Sequence, residues 1–295
     1  RNTIFVTKFS VMYFYYLFTS RVTVFTHGIP LGASKNQINI YVGHLIAPLK
    51  KWGIFEDNYS ETKHLTEMNK YVHTYLSNSE FSKKIMTKCM GTIPKKVKVT
   101  GLPRNDKSNI NVKNFTKKQL KLSEADGKNI IYMPTFRKEK FDVELTINQL
   151  QKNKILDEFL TRKRTKFLIK LHPYDEANID EKLIINSNFK ILKSNLLSKN
   201  NIQNNDIYKC VDLMITDYSS SYMDFLPFKK PIIFFCPDYE TYREIRGFMV
   251  NPLSSWLPGP MYYTELDLIG GILNHKKIFD KDRHEEIKKI FHNYS

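Results

Sequence analysis

The sequence predicts an α/β protein with two parallel-sheet domains, and three observations carry that prediction. Strand-like apolar runs alternate with helical patterns through both halves of the chain, which is the grammar of βαβ units. At 295 residues the chain is too long for one typical domain and comfortable for two. The strand-like runs also end in polar or basic groups: His27-Gly28, Arg104-Asn105-Asp106, Thr135-Phe136-Arg137, His172-Pro173, and Asp217 to Ser221. Ligands of parallel α/β sheets bind beyond the carboxyl ends of the strands. These tips are therefore the candidate functional residues, and in a two-domain protein they can face one cleft.

The clearest βαβ unit runs from Asp212 to Phe235. An apolar run (Leu213-Met214-Ile215) stops at Thr216-Asp217-Tyr218 and is followed by Ser219, Ser220 and Ser221. Tyr222, Met223, Phe225 and Leu226 then suggest a helix, and Pro231 to Phe235 a second strand. Hydroxyls and backbone N–H groups at such a turn suit a phosphate. Serines also cap helices, but one cap needs one hydroxyl, so three in a row favour an anion site.

The remaining elements follow in order. Residues 9–18 (FSVMYFYYLF) predict a buried, aromatic helix, and Arg21 to Phe25 a strand ending in His27 and the flexible Gly28. Residues 35–70 read as polar and irregular, with His44 and His64 lacking any partner spacing. Lys70 to Cys89 reads as a strand (YVHTYL), a polar turn at 77–79 and a helix from Glu80. Lys96 to Thr100 is a further strand. A lysine- and asparagine-rich connection at 107–128 marks the boundary, giving domains 1–115 and 116–295. The second half restarts with a strand at Asn129 to Met133, then a helix near 146–160 and strands at Lys166 to Leu171 and Phe189 to Leu192. After Phe235 come the turn Pro258-Gly259-Pro260 and helices near 264–273 and 280–292. The chain starts at Arg1 with a strand-like segment almost at once, so the first strands of the N-terminal domain are expected to be missing.

Composition narrows the function. The chain is 41% hydrophobic and 26% charged, ordinary for a protein with a substantial core. Lysine and arginine outnumber acids 46 to 30, a net charge of +16, which suits an anionic partner. An AT-rich genome would also inflate lysine, asparagine and isoleucine. Cys89, Cys210 and Cys236 lack CxxC pairing, which argues against a disulfide framework or thiolate zinc site and fits a reducing cytoplasm. The longest apolar run, Val11 to Thr19, is too short to span a bilayer. There is no GxxxxGK[ST] loop and no GxGxxG after a strand, and Asp280-Lys281-Asp282 reads as a solvated helix start rather than a metal site. A nucleic-acid-binding protein would interleave basic residues with exposed aromatics, whereas the aromatics here fall in predicted strands and buried helices; no nucleic acid, metal or cofactor is expected.

Eight pieces in order carry a resemblance: THGIPLGASK (26–35), SNSEFSKK (77–84), GLPRND (101–106), IIYMPTFR (130–137), KLHPYD (170–175), DLMITDYSSSYMDFLPFKKPIIFFCPDYETY (212–242), RGF (246–248) and PGP (258–260). Together they resemble the CDP-glycerol glycerophosphotransferase family, which includes teichoic acid primases and polymerases and related capsule enzymes. The resemblance implies a GT-B-like fold, with two Rossmann-like domains facing a central cleft and the N-terminal one cut short. It implies a CDP-polyol donor, a polyol-phosphate or lipid-linked glycan acceptor, and a place on the anionic inner face of the cell membrane. Carried over by position, the family's proposed general base falls on His27 and the histidine of its HP motif on His172. The diphosphate turn falls on Ser219 and Ser220. The strand-tip reading itself adds Ser221, Arg104, Thr135, Arg137, Asp217 and Asp224 to the donor side. Two departures stand out: Thr26 where the family usually has Trp, and Tyr174 where it often has a second His. The alternatives are a GT-B sugar-nucleotide glycosyltransferase of capsule or lipopolysaccharide assembly, and an inactive relative that only binds.

Overall fold

A computed structural model describes residues 3–28, 33–43, 49–56, 59–106, 113–120, 122, 128–137, 142–177 and 179–293. By compactness the chain divides into two units, Arg1–Leu102 with Ile290–Ser295, and Pro103–Lys289. His44, the Ile29-Pro30 portion of the histidine loop and most of the lysine-rich connection lie outside the described residues.

The first unit holds a parallel sheet of β1 (Val22–Phe25), β2 (Ile38–Tyr41), β3 (Thr74–Ser77) and β4 (Val97–Val99), in that spatial order. Alternate residues of β1 and β2 are buried, as the period-2 pleat requires when one face carries the core. Phe25, Tyr41 and Tyr75 meet edge-on at about the same spacing along three adjacent strands, 5.6 and 5.5 Å between centroids. The helix Glu80–Met90 starts where Ser79 accepts the N–H of Ser82 and ends at Gly91, whose φ of 59° is the left-handed cap geometry that glycine adopts without strain. The last residues return to this unit: Asn293 donates its N–H to the Asn78 carbonyl (3.0 Å), and Phe291 packs against Phe81.

Two readings of this half need correction. The aromatic helix exists, at Val11–Thr19, but only Leu17 is buried, and Phe18 is 62% exposed. A stretch apolar on every side carries no facial information, so burial could not be read from it. Residues 35–70 are not irregular; they contain β2 and the helix Tyr59–Tyr71. Asn39 hides β2, because a polar residue in a core strand breaks the alternation; its amide donates to the carbonyls of Ser34 (2.9 Å) and Tyr71 (3.0 Å). In the helix, Leu65 and Met68, with Val72 just beyond its end, form a narrow buried stripe among polar residues.

The second unit is a six-stranded, wholly parallel sheet. Its strands are β5 (Asn129–Met133), β6 (Lys166–Ile169), β7 (Phe189–Ile191), β8 (Leu213–Thr216), β9 (Ile232–Phe235) and β10 (Met261–Tyr262), ordered β10-β9-β8-β5-β6-β7. β5, β8 and β9 are buried along their whole length, which explains their unbroken apolar runs: both faces are covered. Helices Val143–Lys152, Lys154–Arg162 and Glu265–Leu273 pack together over one face. The single helix expected near 146–160 is two, because Asn153 ends one and caps the next through Leu156 N–H. β10 and the helix Ser194–Lys199 were not anticipated. The boundary placed at 115/116 falls inside this unit. Helix Pro103–Asp106 belongs to it, since Arg104 ion-pairs with Asp224 (2.9 Å) and its carbonyl accepts from the Asn205 amide (2.6 Å), and helix Lys113–Gln119 lies against helix Asn204–Cys210. The Asp280-Lys281-Asp282 stretch starts the last helix, Asp280 accepting the N–H of Arg283 (2.9 Å).

The Pro258-Gly259-Pro260 turn sets β10 beside β9: Phe234 N–H donates to the Pro260 carbonyl (2.9 Å). A Cβ on Gly259 would lie 1.9 Å from the carbonyl oxygen of Ile232. Gly259→Ala should therefore cost about 1–3 kcal/mol, the range of an overpacked site. A denaturant midpoint equal to wild type would show that this close approach does not matter.

Candidate functional site

Counted within the second unit, the strand order is 6-5-4-1-2-3, the doubly wound order. Its topological switch lies between β5 and β8, and ligands of such sheets occupy the crevice beyond the carboxyl ends at that switch. Thr135 and Arg137 follow β5, and Asp217 with the three serines follows β8. Sequence reasoning thus brought together residues that the topology places side by side.

Their geometry is a buried ionic cluster. Asp217 accepts the Thr135 N–H on both oxygens (3.0 and 2.9 Å), the Thr135 hydroxyl (2.6 Å) and the Ser219 N–H (3.2 Å). Arg137 reaches Asp217 at 2.8 Å with one terminal nitrogen and Asp238 at 2.5 Å with Nε, and its other terminal nitrogen donates to the Thr135 carbonyl (2.8 Å). The guanidinium also lies 5.2 and 5.5 Å from the ring centroids of Tyr218 and Tyr242, which stack on each other at 4.0 Å, so cation–π attraction adds to the pairing. Burial alone would lower the pKa of Arg137, but Asp217 and Asp238 push it above its ordinary value. With its side chain 7% exposed, Arg137 faces inward. One cation against two carboxylates leaves the cluster negative, so it organises the tips of β5, β8 and β9 rather than supplying positive charge to a ligand.

Three other features surround this cluster. Ser219 and Ser221 hydroxyls bond each other at 2.8 Å, and all three serines are half-buried. The helix they open, Ser221–Phe225, has only five residues, and the Ser220 side chain makes no cap bond. The helix-dipole part of the expected anion site is therefore a single turn. His172 is exposed beyond β6; its Nδ1 accepts the Tyr174 N–H (3.4 Å), and its ring packs with Phe136 (5.4 Å) and Tyr174 (5.3 Å), which also touch each other at 5.4 Å. Tyr174, where the family often has histidine, thus closes an aromatic group around His172. Arg104 and Asp224 pair with each other, and burial raises the Asp224 carboxyl above its ordinary range while Arg104 pulls it down.

His27 stands in the first unit, exposed beyond β1, its Nδ1 2.9 Å from the Thr26 hydroxyl oxygen. Gly28 takes φ +55°, and its open side is covered by the His64 imidazole, 3.7 Å from where a Cβ would stand. Sequence reading missed two residues here. Asp238 follows β9 after a Cys-Pro step, far enough past the apolar run to read as part of the next loop. His64 had no signal, since only the fold brings helix Tyr59–Tyr71 to the tip of β1.

Comparisons with known proteins converge. A family described as CDP-glycerol:poly(glycerophosphate) glycerophosphotransferase matches residues 1–295. A teichoic acid poly(glycerol phosphate) polymerase of Bacillus spizizenii is 29% identical over 290 residues, covering 90% of this chain and 68% of the relative. A teichoic acid glycerol-phosphate primase of Bacillus subtilis is 28% identical over 288 residues, with the same two coverages. Among solved structures, a variant of the wall teichoic acid polymerase TagF matches with a TM-score of 0.77 at 22% identity, covering 97% of this chain and 72% of that one. That likeness establishes the fold.

The ionic cluster generates a direct test. Arg137→Met would leave Asp217 and Asp238 buried without their cation, and should lower unfolding free energy by about 3–5 kcal/mol. Arg137→Lys should recover only part of this, because an ammonium cannot serve both carboxylates and the Thr135 carbonyl in one plane. Denaturant titration reads both; a loss under ~1 kcal/mol for Arg137→Met, the size of an exposed ion pair, would refute the bracing role.

Proposed function

Because the chain belongs to the CDP-glycerol:poly(glycerophosphate) glycerophosphotransferase family, we propose that it moves glycerol phosphate, or a related polyol phosphate, from a CDP-linked donor to a hydroxyl of a teichoic acid or capsule acceptor. The observation that carries this reading is the crevice at the β5/β8 switch, with half-buried serine hydroxyls on one side and His172 on the other. It is the position in a doubly wound sheet where a nucleotide diphosphate is accommodated.

The acceptor oxygen attacks the polyol-bearing phosphorus, the bond to the bridging oxygen breaks, and its electron pair leaves with CMP. The proton of the attacking hydroxyl goes to His27. In the tautomer whose Nδ1–H donates to Thr26 Oγ1, Nε2 carries the lone pair that a base needs. General base assistance of this kind contributes ~10²–10⁴-fold. Ser219, Ser220, Ser221 and His172 contact the diphosphate. Thr135, Arg137 and Asp217 hold the tips in place, and Arg104 with Asp224 anchors the helix that follows the serines.

Among the described residues no helix is long and apolar enough to cross a membrane. The net charge of +16 supports attachment to an anionic inner leaflet, where each lysine or arginine near the surface contributes about 1 kcal/mol.

Two substitutions separate the roles. His27→Ala should lower kcat by ~10²-fold or more with little change in donor affinity. His172→Ala should weaken CDP-glycerol binding as well as turnover. CMP release from a panel of CDP-polyols gives the rates and the donor preference; calorimetry gives the affinities. A His27→Ala protein with near-normal kcat would remove His27 from the mechanism, and no CMP release with any CDP-polyol and acceptor would overturn the transfer itself.

A further inference from the structure

The second unit has a cavity at the opposite end of its sheet from the serine crevice. It is about 250 Å³ and opens among the residues that precede β5, β6 and β8 and those that follow helix Glu265–Leu273. Ile130, Phe159, Leu213 and Leu273 give it an apolar wall, and Lys128, Lys163, Lys276 and Lys277 also line it. Lys163, Lys276 and Lys277 are exposed, while Lys128 is half-buried. Among the described residues Asp212 is the one carboxylate in the lining, and it already accepts the Asn129 N–H at 2.9 Å.

Among the described residues the lining sets four lysines against one engaged carboxylate, an excess of positive charge that suits an anion. The neighbouring Lys276 and, after it, burial hold the Lys128 pKa below its ordinary value. Lys128 is the partly desolvated one, and an anion between it and Lys276 would relieve their repulsion. His275 adds a different group. It is buried, and its Nδ1–H donates to the Ile272 carbonyl at 2.7 Å. Burial lowers its pKa, so the ring is neutral near pH 7 and Nε2 is an acceptor.

We propose that this cavity is a second anion site, taking a phosphate ester whose apolar or aromatic body enters between Phe159 and Leu273 while its phosphate meets Lys128 and Lys276. The site shares no residue with the strand-tip crevice and does not rest on the transfer reaction. A soluble phosphate ester and the headgroup of an anionic lipid offer the same chemistry.

Phenyl phosphate, inorganic phosphate and vesicles distinguish these sources, using the full chain at low salt. Phenyl phosphate should bind more tightly than inorganic phosphate by calorimetry. Lys128→Ala/Lys276→Ala should weaken phenyl phosphate about tenfold or more, equivalent to ~1.4 kcal/mol, and should leave CDP-glycerol binding unchanged. Leu273→Trp, which fills the cavity but keeps the lysines, should lose the advantage of phenyl phosphate over inorganic phosphate. Binding only to vesicles containing phosphatidylglycerol, and not to phosphatidylcholine alone, would assign the lipid source if the double variant abolishes it. Phenyl phosphate and phosphatidylglycerol binding that are both absent, or both unchanged in the double variant, would overturn the proposal.

Discussion

The second unit depends on the pairing of Arg137 with Asp217 and Asp238. These residues follow three different strands, β5, β8 and β9, so the pairing converts three adjacent strand tips into one rigid rim. Removing three charges from water is costly, and a buried ion pair stabilises only when its geometry is good and its remaining valences are satisfied. For the two carboxylates they are satisfied. Thr135 supplies two donors to Asp217, Ser219 a third, and Tyr218 donates its hydroxyl to Asp238 at 3.1 Å. Stacked tyrosines cover the guanidinium. The cluster also fixes the backbone from which the serine turn departs, because the Ser219 N–H is bound to the same carboxylate that holds Arg137.

This arrangement changes how the polar tips should be understood. Residue type and strand-end position identify Thr135, Arg137 and Asp217 as important, and chemistry alone suggests that an arginine there grips phosphate. Packing decides otherwise for Arg137, whose donors are directed at carboxylates inside the rim. A strand-tip arginine near two strand-tip aspartates is as consistent with internal pairing as with ligand binding, and sequence alone does not separate them. Asp238 would have settled the matter, yet Cys236 and Pro237 between it and β9 make it look like part of the following loop.

Legibility followed the physics of burial elsewhere too. The central strands β5, β8 and β9 were plain because a strand covered on both faces must be apolar throughout. β2 was opaque because its core position is filled by Asn39, whose amide serves two loop carbonyls. The helix Val11–Thr19 was seen but wrongly buried, since its aromatic residues pack on one another, Tyr13 against Phe14 at 5.2 Å and Phe14 against Phe18 at 6.0 Å. The domain limit lay where composition changes, at the lysine-rich connection, whereas compactness follows contacts, and Arg104 makes its contacts with Asp224 and Asn205.

With Arg137 committed inward, the proposed diphosphate at the β5/β8 switch would be met by neutral donors and by His172. The hydrogen bond from Tyr174 N–H to Nδ1 has a consequence for that residue. A nitrogen that accepts cannot also carry the proton, so the neutral ring keeps its hydrogen on Nε2. Phe136 and Tyr174 pack with the ring in a three-membered aromatic cluster. In its neutral form His172 thereby presents an Nε2–H donor. A serine turn has the same property, since hydroxyls and amides donate at any physiological pH. A crevice built from such groups, above a rim that is itself negative, would grip an anion through direction rather than through net charge. It would hold the diphosphate while the bond is made and release CMP, whose charge it never fully neutralises.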